Sequence, residues 1–541
     1  MKIKLNSSLE KVFLDGNLNF DEYKKGSMLK NERFHFGFSL YNDTAATVSR
    51  CRIVISSDIV KHLSLYRVDN IPAVMINNIG REDKYVLAKD SGLFPDCLVA
   101  TDGNNQFIPP YKNIGYFIEI GSREMIKSGT YPIEITVYGR DETILCRDIF
   151  TIEVLDACLA KNDLLVTQWI HYDCIARVHG CKVFSDQFYE VCREYFRMAA
   201  RYGQTMILTP LFTFALDTEE GGERDTFQLI KIEKKGEHYL FSFDALDRFI
   251  SEAISSGLKY IEFSHLFTQW GAKYAPKIIA IENGKETKIF GWETDASGKE
   301  YQKFLKQFLP ALTKFTEERG IKDRCFLHIS DEPFEETIQH YHELRELIRS
   351  YTDIPVMDAL SHFDYCQKGG VDLPAVATDC VKEFIVAHKA FLAYYCNAQC
   401  EKNLSNRFFS MPSQRNRIIG FQLYETGAKG FLHWGFNFYN SALSIFPIDP
   451  YKVSDAGGFF PAGDSYIVYP TENSCAPSLR LFVFYDGIQD YLALKALEQK
   501  RGKQFVRELL ASEGVEGFEQ YPCSASWHLK FREKINFLLK S

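Results

Sequence analysis

Short runs in which apolar and polar residues alternate occupy the first 156 residues of the chain. An alternation with a period of two is typical of strands that bury one face. Clusters of Gly, Asn and Asp separate the runs at a spacing that is typical of a β-sandwich. We therefore predict an N-terminal β-sandwich domain over residues 1–156. The clearest strands are expected at 52–56, 116–120, 131–138 and 150–155.

From residue 164 onward, buried strands alternate with amphipathic helices. Eight strands with intervening helices are the number expected of a (β/α)8 barrel. The fold class that we predict is therefore α/β, with a (β/α)8 TIM-type barrel over 157–505. The expected strands are 164–170, 205–212, 260–267, 325–330, 356–360, 390–396, 430–435 and 479–484. The clearest helices are 186–201, 244–256, 301–319 and about 334–350.

Two long loops follow predicted strands, at the end where barrel enzymes place their active sites. Each loop contains a pattern that predicts a hairpin, within 227–243 and within 278–290. An open, doubly wound sheet is the alternative fold, but no glycine-rich phosphate fingerprint follows the first strand. Residues 506–541 are predicted to be a C-terminal helical tail packed on the barrel.

The composition is that of an ordinary globular protein, with 46% hydrophobic and 25% charged residues among 541. Lys and Arg number 63 against 71 Asp and Glu, which gives a net charge of −8. This balance argues against a nucleic-acid partner and against attachment to anionic lipid. No run of 18 apolar residues and no signal-peptide pattern occurs. We expect a cytoplasmic protein whose 14 scattered cysteines are mostly reduced.

Two adjacent carboxylates, Asp331 and Glu332, end the fourth predicted strand and precede Pro333. Proline restricts the residue before it, so we expect Glu332 in an extended turn at the barrel mouth. Glycoside hydrolysis needs a proton donor of raised pKa and a second group that supports the cationic sugar. Touching carboxyl groups favour different protonation states, because like charges resist joint ionisation. The alternative interpretation is that Asp331 caps a helix that begins at Pro333.

The chain resembles glycoside hydrolase family 123, within the broader domain of unknown function 4091. The resemblance covers roughly residues 90–500 and rests on the order of its motifs. Cys97, where relatives often carry proline, and the Phe484-Tyr485 pair are departures that suggest a divergent branch. The motifs are GLFPDCL at 92–98, HYD at 171–173, SDEP at 330–333, GFLHWG at 430–435, GDSYIVYP at 463–470, SLR at 478–480 and DGIQDY at 486–491.

The resemblance implies a retaining, exo-acting β-N-acetylgalactosaminidase with an N-terminal β-sandwich and a catalytic (β/α)8 barrel. It also implies substrate assistance, in which the 2-acetamido oxygen of the sugar attacks C1 and forms an oxazoline. By this match Glu332 is the general acid and then the general base, while Asp331 orients and polarises the acetamido N–H. The expected partner is a 2-acetamido sugar, and we expect no metal and no other cofactor.

A sugar site also needs flat apolar platforms and well-placed polar groups. Trp434 comes at the end of a predicted strand and is expected to form a wall of the pocket. Tyr394 and Tyr395 end another strand, and because strand neighbours point to opposite faces, at most one of them should face the pocket. The full set of expected substrate contacts is His171, Asp173, His265, Trp270, Asp358, Tyr395, Trp434, Asn437 and Tyr439.

Two other functions are compatible with these patterns. One is a carbohydrate-binding barrel without turnover, since barrels host many functions. The other is a metal-dependent hydrolase that uses His171, Asp173 and His265, although their spacing is loose and a hydrogen-bonded network is the simpler interpretation. Asp217 and Arg224 could clamp a substrate, but an ion pair that braces their loop is the simpler expectation.

Overall fold

The computed structural model describes residues 1–15, 18–78, 81, 83–121 and 124–540. Its first ten strands are β1 (Lys2–Ser7), β2 (Lys25–Leu29), β3 (Phe34–Tyr41), β4 (Val48–Ser56), β5 (Leu63–Ala73), β6 (Gly92–Ala100), β7 (Gln106–Ile108), β8 (Asn113–Ile120), β9 (Gly129–Tyr138) and β10 (Ile144–Leu155). They form two five-stranded sheets, ordered β1-β3-β8-β5-β6 and β2-β10-β9-β4-β7. The two sheets share one hydrophobic cluster, in which Phe36 stacks on Phe150 with ring centres 3.9 Å apart. The sheet-rich N-terminal region that the alternation predicts is therefore present.

Short parallel strands dominate the sheets of the remaining chain. The strands are β11 (Leu165–Gln168), β12 (Met206–Thr209), β13 (Lys231–Lys235), β14 (His238–Ser242), β15 (Tyr260–Phe263), β16 (Ile278–Glu282), β17 (Lys285–Phe290), β18 (Cys325–Leu327), β19 (Ala375–Ala377), β20 (Leu392–Tyr394), β21 (Gly430–His433), β22 (Val468–Pro470) and β23 (Cys475–Pro477). Four of them form a parallel sheet ordered β11-β21-β20-β19, and three form a second one ordered β12-β15-β18.

A few backbone contacts join these two parallel sheets. Thr205, just before β12, donates its amide to the carbonyl of Val166 in β11 at 2.9 Å. At the other end, Val356 forms an isolated parallel bridge to β18, and Ala359 forms one to β19. The strand predicted at 356–360 is thus present as two bridges, and β19 is a strand that the sequence pattern did not predict.

The four helices predicted most clearly are all present, although the fourth begins at residue 338 instead of about 334. They are α1 (Tyr172–Val178), α2 (Asp186–Arg201), α3 (Asp244–Ser255), α4 (Lys299–Glu318), α5 (Ile338–Arg349), α6 (Phe363–Gly369), α7 (Lys382–Val386), α8 (Ser413–Arg417), α9 (Ile419–Thr426), α10 (Leu479–Arg501), α11 (Lys503–Ser512) and α12 (Ala525–Lys540). Helix α2 has the predicted bounds because Ser185 caps it, accepting from the amide of Phe188 at 3.2 Å.

The strand predicted at 479–484 is wrong, because these residues begin α10. Ser478 caps this helix and accepts a hydrogen bond from the amide of Leu481 at 3.1 Å. Every residue from 479 to 484 is buried. A continuous apolar run has no helical period, so it fits a fully buried helix as well as a strand.

Both long loops contain the predicted hairpins. The hairpins β13–β14 and β16–β17 combine into one four-stranded sheet, ordered β14-β13-β16-β17. The predicted tail contains α11 and α12, and Ser541, with which it ends, lies outside the described residues. Every helix in the described part of the chain is too short or too polar to cross a membrane.

Buried ion pairs join the N-terminal sheets to α10. Arg480 donates to Asp96 of β6 from Nε at 2.8 Å and from Nη2 at 2.9 Å. The hydroxyl of Tyr469 donates to the same carboxylate at 2.5 Å. His35 of β3 lies 2.6 Å from a carboxylate oxygen of Asp486. Because a buried charge without a partner is costly, these pairs stabilise one arrangement of the two regions.

The Arg480→Met substitution should strongly destabilise the fold, because it leaves the Asp96 carboxylate buried without its cation. We expect the free energy of unfolding to fall by about 3–5 kcal/mol, measured by urea denaturation. Arg147→Met, which removes an exposed ion pair with Glu134, should leave the protein close to wild type. Equal effects of the two substitutions would contradict a structural role for the buried pair.

Candidate active site

The carboxyl ends of β11, β18, β20 and β21 surround a cavity of about 170 Å³. That volume is roughly ten times the space that one buried water needs, so the cavity can hold a small ligand. It also lies at the end of parallel strands where α/β proteins bind their ligands.

Aromatic side chains form most of the apolar wall, namely Trp169, Trp270, Tyr394, Tyr395, Trp434 and Phe460. The indole N–H of Trp434 donates to Asp464 at 3.2 Å, which fixes the orientation of its ring. Trp270 is 48% exposed and stands at the opening. Flat apolar faces of this kind suit the faces of a sugar ring.

Three carboxyl groups, those of Asp217, Asp331 and Glu332, line the same cavity. Burial raises the pKa of Asp331 well above its usual range, and the charges of Glu332 and Asp217 raise it further. Burial also raises the pKa of Asp217 to about 6. A carboxyl group that keeps its proton near neutral pH can take part in acid catalysis.

Pro333 predicts an extended backbone for Glu332, the residue before it. The structure differs, because the φ of Glu332 is +40°. The left-handed region is strained for a residue with a Cβ atom, so other contacts must hold it there. The hydroxyl of Tyr394 donates to Oε1 of Glu332 at 2.5 Å. The amide of Trp270 donates to the carbonyl of Asp331 at 3.1 Å. Neighbouring strand ends therefore override the local preference and keep the pair at the cavity.

Asp331 does not cap a helix, so the capping interpretation is wrong. Helix α5 begins only at Ile338. A turn precedes it, in which the amide of Phe334 donates to the hydroxyl of Thr337 at 3.1 Å. This turn separates the carboxylate pair from the helix and leaves both carboxyl groups available to the cavity.

A buried network links the cavity wall to the strand end that carries the carboxylate pair. Oε1 of Glu262 accepts from the indole N–H of Trp169 at 2.7 Å and lies 2.6 Å from Nε2 of His328. Nδ1 of His328 lies 3.1 Å from Asp358. Asp358 in turn accepts from the amide of Ile329 at 2.9 Å. The network therefore fixes Trp169, a residue of the wall, relative to the strand end that carries the carboxylate pair.

Burial alone would lower the pKa of His328, but the hydrogen bonds and charges of Asp358 and Glu262 raise it to about 9. The ring is therefore an imidazolium at neutral pH, and both of its nitrogens donate. His265, His328 and Asp358 lie close enough together to be considered as metal ligands. As an imidazolium, His328 offers no lone pair to a metal and pairs with Asp358 instead, whereas neither ring nitrogen of His265 has a hydrogen-bond partner among the described residues.

His171 and Asp173 do not line the cavity, and Arg224 contacts both of them. Arg224 donates to Asp173 at 2.9 Å and 2.7 Å, and its Nη2 lies 3.2 Å from Nδ1 of His171. The long loop is thus braced by an ion pair whose acid is Asp173 and not Asp217. His265 stacks on His328 instead, so the three residues of the metal-hydrolase alternative form no common ligand set.

Other expected sugar contacts use their polar atoms elsewhere. The side-chain oxygen of Asn437 accepts from the amide of His171 at 2.9 Å. The hydroxyl of Tyr439 donates to a backbone carbonyl at 3.0 Å. Tyr394 and Tyr395 both belong to the wall, so the expectation that at most one of them faces the pocket is wrong. The hydroxyl of Tyr395 donates to Asn416 at 3.2 Å. Of the expected contacts the cavity brings together Trp270, Tyr395 and Trp434, and it does not include His171, Asp173, His265, Asp358, Asn437 and Tyr439.

The cavity also contains residues that were not among the expected sugar contacts. Trp169 and Tyr394 stand at the carboxyl ends of β11 and β20, and that position was the available signal for both. Asp217 and Gln269 lie in irregular loops, where no periodic pattern shows which way a side chain points. Asp331 and Glu332 line the cavity.

Comparisons with known proteins point to one family. The model of the glycoside hydrolase 123 catalytic domain matches residues 169–497. A family 123 glycoside hydrolase from Clostridium perfringens, analysed for glycolipid glycan hydrolysis, has 16% identity and a TM-score of 0.76, covering 100% of this chain and 97% of that one. A β-glucuronidase from Parabacteroides merdae has 13% identity and a TM-score of 0.31, covering 87% and 52%. No match was found among curated protein sequences. The Clostridium structure shows that the fold is shared over the whole chain.

The buried imidazolium predicts that stability falls at alkaline pH. A pKa raised from 6.5 to about 9 on folding contributes stability that is complete below about pH 6.5 and lost as the pH rises through about 9. His328→Gln should remove up to about 3 kcal/mol of this pH dependence. Urea denaturation of both proteins across this pH range measures the difference.

His238→Gln provides the matched control, because His238 is exposed at the start of β14. The pKa of His35 is also about 9, so the wild type and both variants share its contribution. Parallel curves of unfolding free energy against pH for wild type and His328→Gln would contradict the imidazolium assignment.

Proposed function

Since the chain belongs to glycoside hydrolase family 123, we propose that it is a retaining exo-glycosidase that removes terminal β-linked N-acetylgalactosamine or a related 2-acetamido sugar. The observation that carries this proposal is the Asp331–Glu332 pair facing a cavity with aromatic walls. The relative from Clostridium perfringens was analysed for glycolipid glycan hydrolysis, so a glycolipid glycan is a natural substrate to test.

The proposal includes a closed (β/α)8 barrel over 157–505, between an N-terminal β-sandwich at 1–156 and a helical tail at 506–541. The single bridges at Val356 and Ala359 support it, because they connect β18 to β19. The contact from Thr205 to β11 supports closure on the other side. In this arrangement the cavity occupies the catalytic end of the barrel.

In the proposed reaction the sugar supplies its own nucleophile. Its acetamido oxygen attacks C1 while the bond from C1 to the leaving oxygen breaks, and Glu332 transfers a proton to that oxygen. Glu332 then takes a proton from water as the water opens the oxazoline at C1. Carboxyl groups on adjacent residues need not straddle the scissile bond, because the usual separation of two carboxylates does not apply to substrate-assisted enzymes.

The raised pKa of Asp331 supports a specific placement of the proton. Burial and the charges of Glu332 and Asp217 favour a proton on Asp331. An acetamido N–H that donates to Asp331 stabilises its anion, which is the form that polarises the acetamido group, and the leaving oxygen takes its proton from Glu332. Binding of the correct sugar would thereby prepare both groups for their roles.

Glu332→Gln tests the acid assignment, because it removes the transferable proton and keeps the size of the side chain. We expect kcat/KM on an aryl 2-acetamido-β-galactoside to fall by roughly 10²- to 10⁴-fold, with the melting temperature unchanged. Glu336→Gln, in the exposed turn before α5, should retain activity. Wild-type turnover by Glu332→Gln would exclude this role.

A second prediction concerns the acetamido group of the substrate. Replacing it with a hydroxyl removes the internal nucleophile, so the wild type should show no measurable cleavage of the plain aryl β-galactoside. Asp331→Asn should slow cleavage of the acetamido substrate, because an amide stabilises the oxazoline cation less than a carboxylate. Rapid hydrolysis of the plain galactoside would contradict substrate assistance. Calorimetric binding of N-acetylgalactosamine without turnover by the wild type would indicate a carbohydrate-binding protein instead.

A further inference from the structure

A third carboxyl group, that of Asp217, lines the cavity beside the Asp331–Glu332 pair, and the proposed reaction does not use it. Asp217 lies in the loop between β12 and β13, with a φ of +51°. Backbone strain of this kind persists only where surrounding contacts enforce it, and it clusters at sites that bind ligands.

Contacts on both sides fix the backbone of Asp217. Its amide donates to Oε1 of Gln269 at 2.6 Å, and its carbonyl accepts from the hydroxyl of Ser444 at 2.6 Å. Gln269 also lines the cavity, and its amide group donates to the carbonyl of Thr218 at 3.1 Å. These contacts therefore fix the backbone of Asp217, whose side chain lines the cavity.

The carboxyl group itself receives no hydrogen bond from any residue in the described ranges. Arg224 acts on it electrostatically, but its guanidinium donates to Asp173 at 2.7 Å and 2.9 Å. Both oxygens of Asp217 are thus available to a ligand in the cavity. Hydroxyl groups are the donors that a sugar offers.

The cavity lining carries negative charge without a neutralising side chain. Among the described residues that line it, none is Lys, Arg or His. Although Asp331 keeps its proton, the carboxylate of Asp217 in this partly dehydrated space repels an anionic ligand and favours a neutral ligand with many hydroxyl donors. Sulfate esters and carboxylates are among the groups that make a sugar anionic, so the charge of the lining separates anionic terminal sugars from neutral ones.

We propose that Asp217 is a specificity-determining residue, whose carboxylate accepts a hydrogen bond from a hydroxyl of the terminal sugar and whose charge excludes sugars bearing sulfate or carboxylate. This inference rests on the proposed function and names its substrate class, which is the uncharged 2-acetamido sugars. The role is distinct from catalysis, because Asp217 contacts a part of the sugar that does not react.

Asp217→Asn tests the inference, because asparagine keeps the shape of the side chain and tolerates the left-handed backbone. The substrates are the 4-nitrophenyl 2-acetamido-β-galactoside and its 3-, 4- and 6-O-sulfated derivatives. The wild type should favour the neutral substrate over each sulfated one by at least about 100-fold in kcat/KM. In the variant, the ratio for at least one sulfated substrate should fall by about 10-fold or more. The variant should also lose about 10-fold on the neutral substrate, mainly through KM.

Asp225→Asn is the matched control, because Asp225 is exposed in the same loop and lies outside the cavity lining. It should change neither the ratio nor KM. An unchanged ratio for all three sulfated substrates in a folded Asp217→Asn protein overturns the inference while the proposed function stands.

Absence of turnover by the wild type on every 2-acetamido glycoside would overturn the proposed function instead. Calorimetry with N-acetylgalactosamine then decides the role of Asp217 separately. Binding that is about 10-fold weaker in Asp217→Asn supports the hydroxyl contact, and equal affinity overturns it.

Discussion

The imidazolium of His328, held between Glu262 and Asp358, is the interaction on which the geometry of the site depends. A single charge at this depth would cost several kcal/mol. The three groups satisfy one another, and in addition Glu262 accepts from the indole N–H of Trp169 and Asp358 accepts from the amide of Ile329. Displacing any member would leave the others unpaired, so the ends of β11, β15 and β18 keep one relative position. The same buried network therefore holds one wall of the cavity and its carboxylate pair in place.

The residues near the opening of the cavity are held by interactions of a different kind from those of the buried network. Glu332, Asp217 and Trp270 all line the cavity and all have positive φ values, of 40°, 51° and 56°. Regular secondary structure would not place these side chains where they are, and hydrogen bonds from neighbouring loops hold them there. The site thus combines a buried network of charged groups with side chains that strained turns hold at the cavity. This arrangement preorganises polar groups for a ligand.

Periodic features of this fold were accessible from sequence, and the pairings between distant residues were not. Helix α2 could be predicted to the residue because its apolar stripe begins at a capping serine. Asp331 and Glu332 could be identified because a carboxylate pair at a strand end is a local pattern. His171 was expected to contact sugar, but in the structure it contacts Arg224, which is 53 residues away in the sequence. No local sequence pattern predicts that contact. Asp358 was likewise expected in the cavity, where the next residue, Ala359, lies instead.

The buried ion pairs between the N-terminal sheets and α10 also bear on how the chain can be divided. Besides Asp96 and Arg480, a further buried pair connects Glu32 to Arg532 of α12 at 2.7 Å, so the first and last parts of the chain hold each other. Dividing the chain near residue 156 would leave these charged side chains without their partners, on surfaces that are buried in the intact protein. The change of architecture near residue 156 is therefore not a boundary at which the chain can be divided into independently stable parts. The chain should unfold cooperatively as one unit, although its sequence pattern suggests several domains.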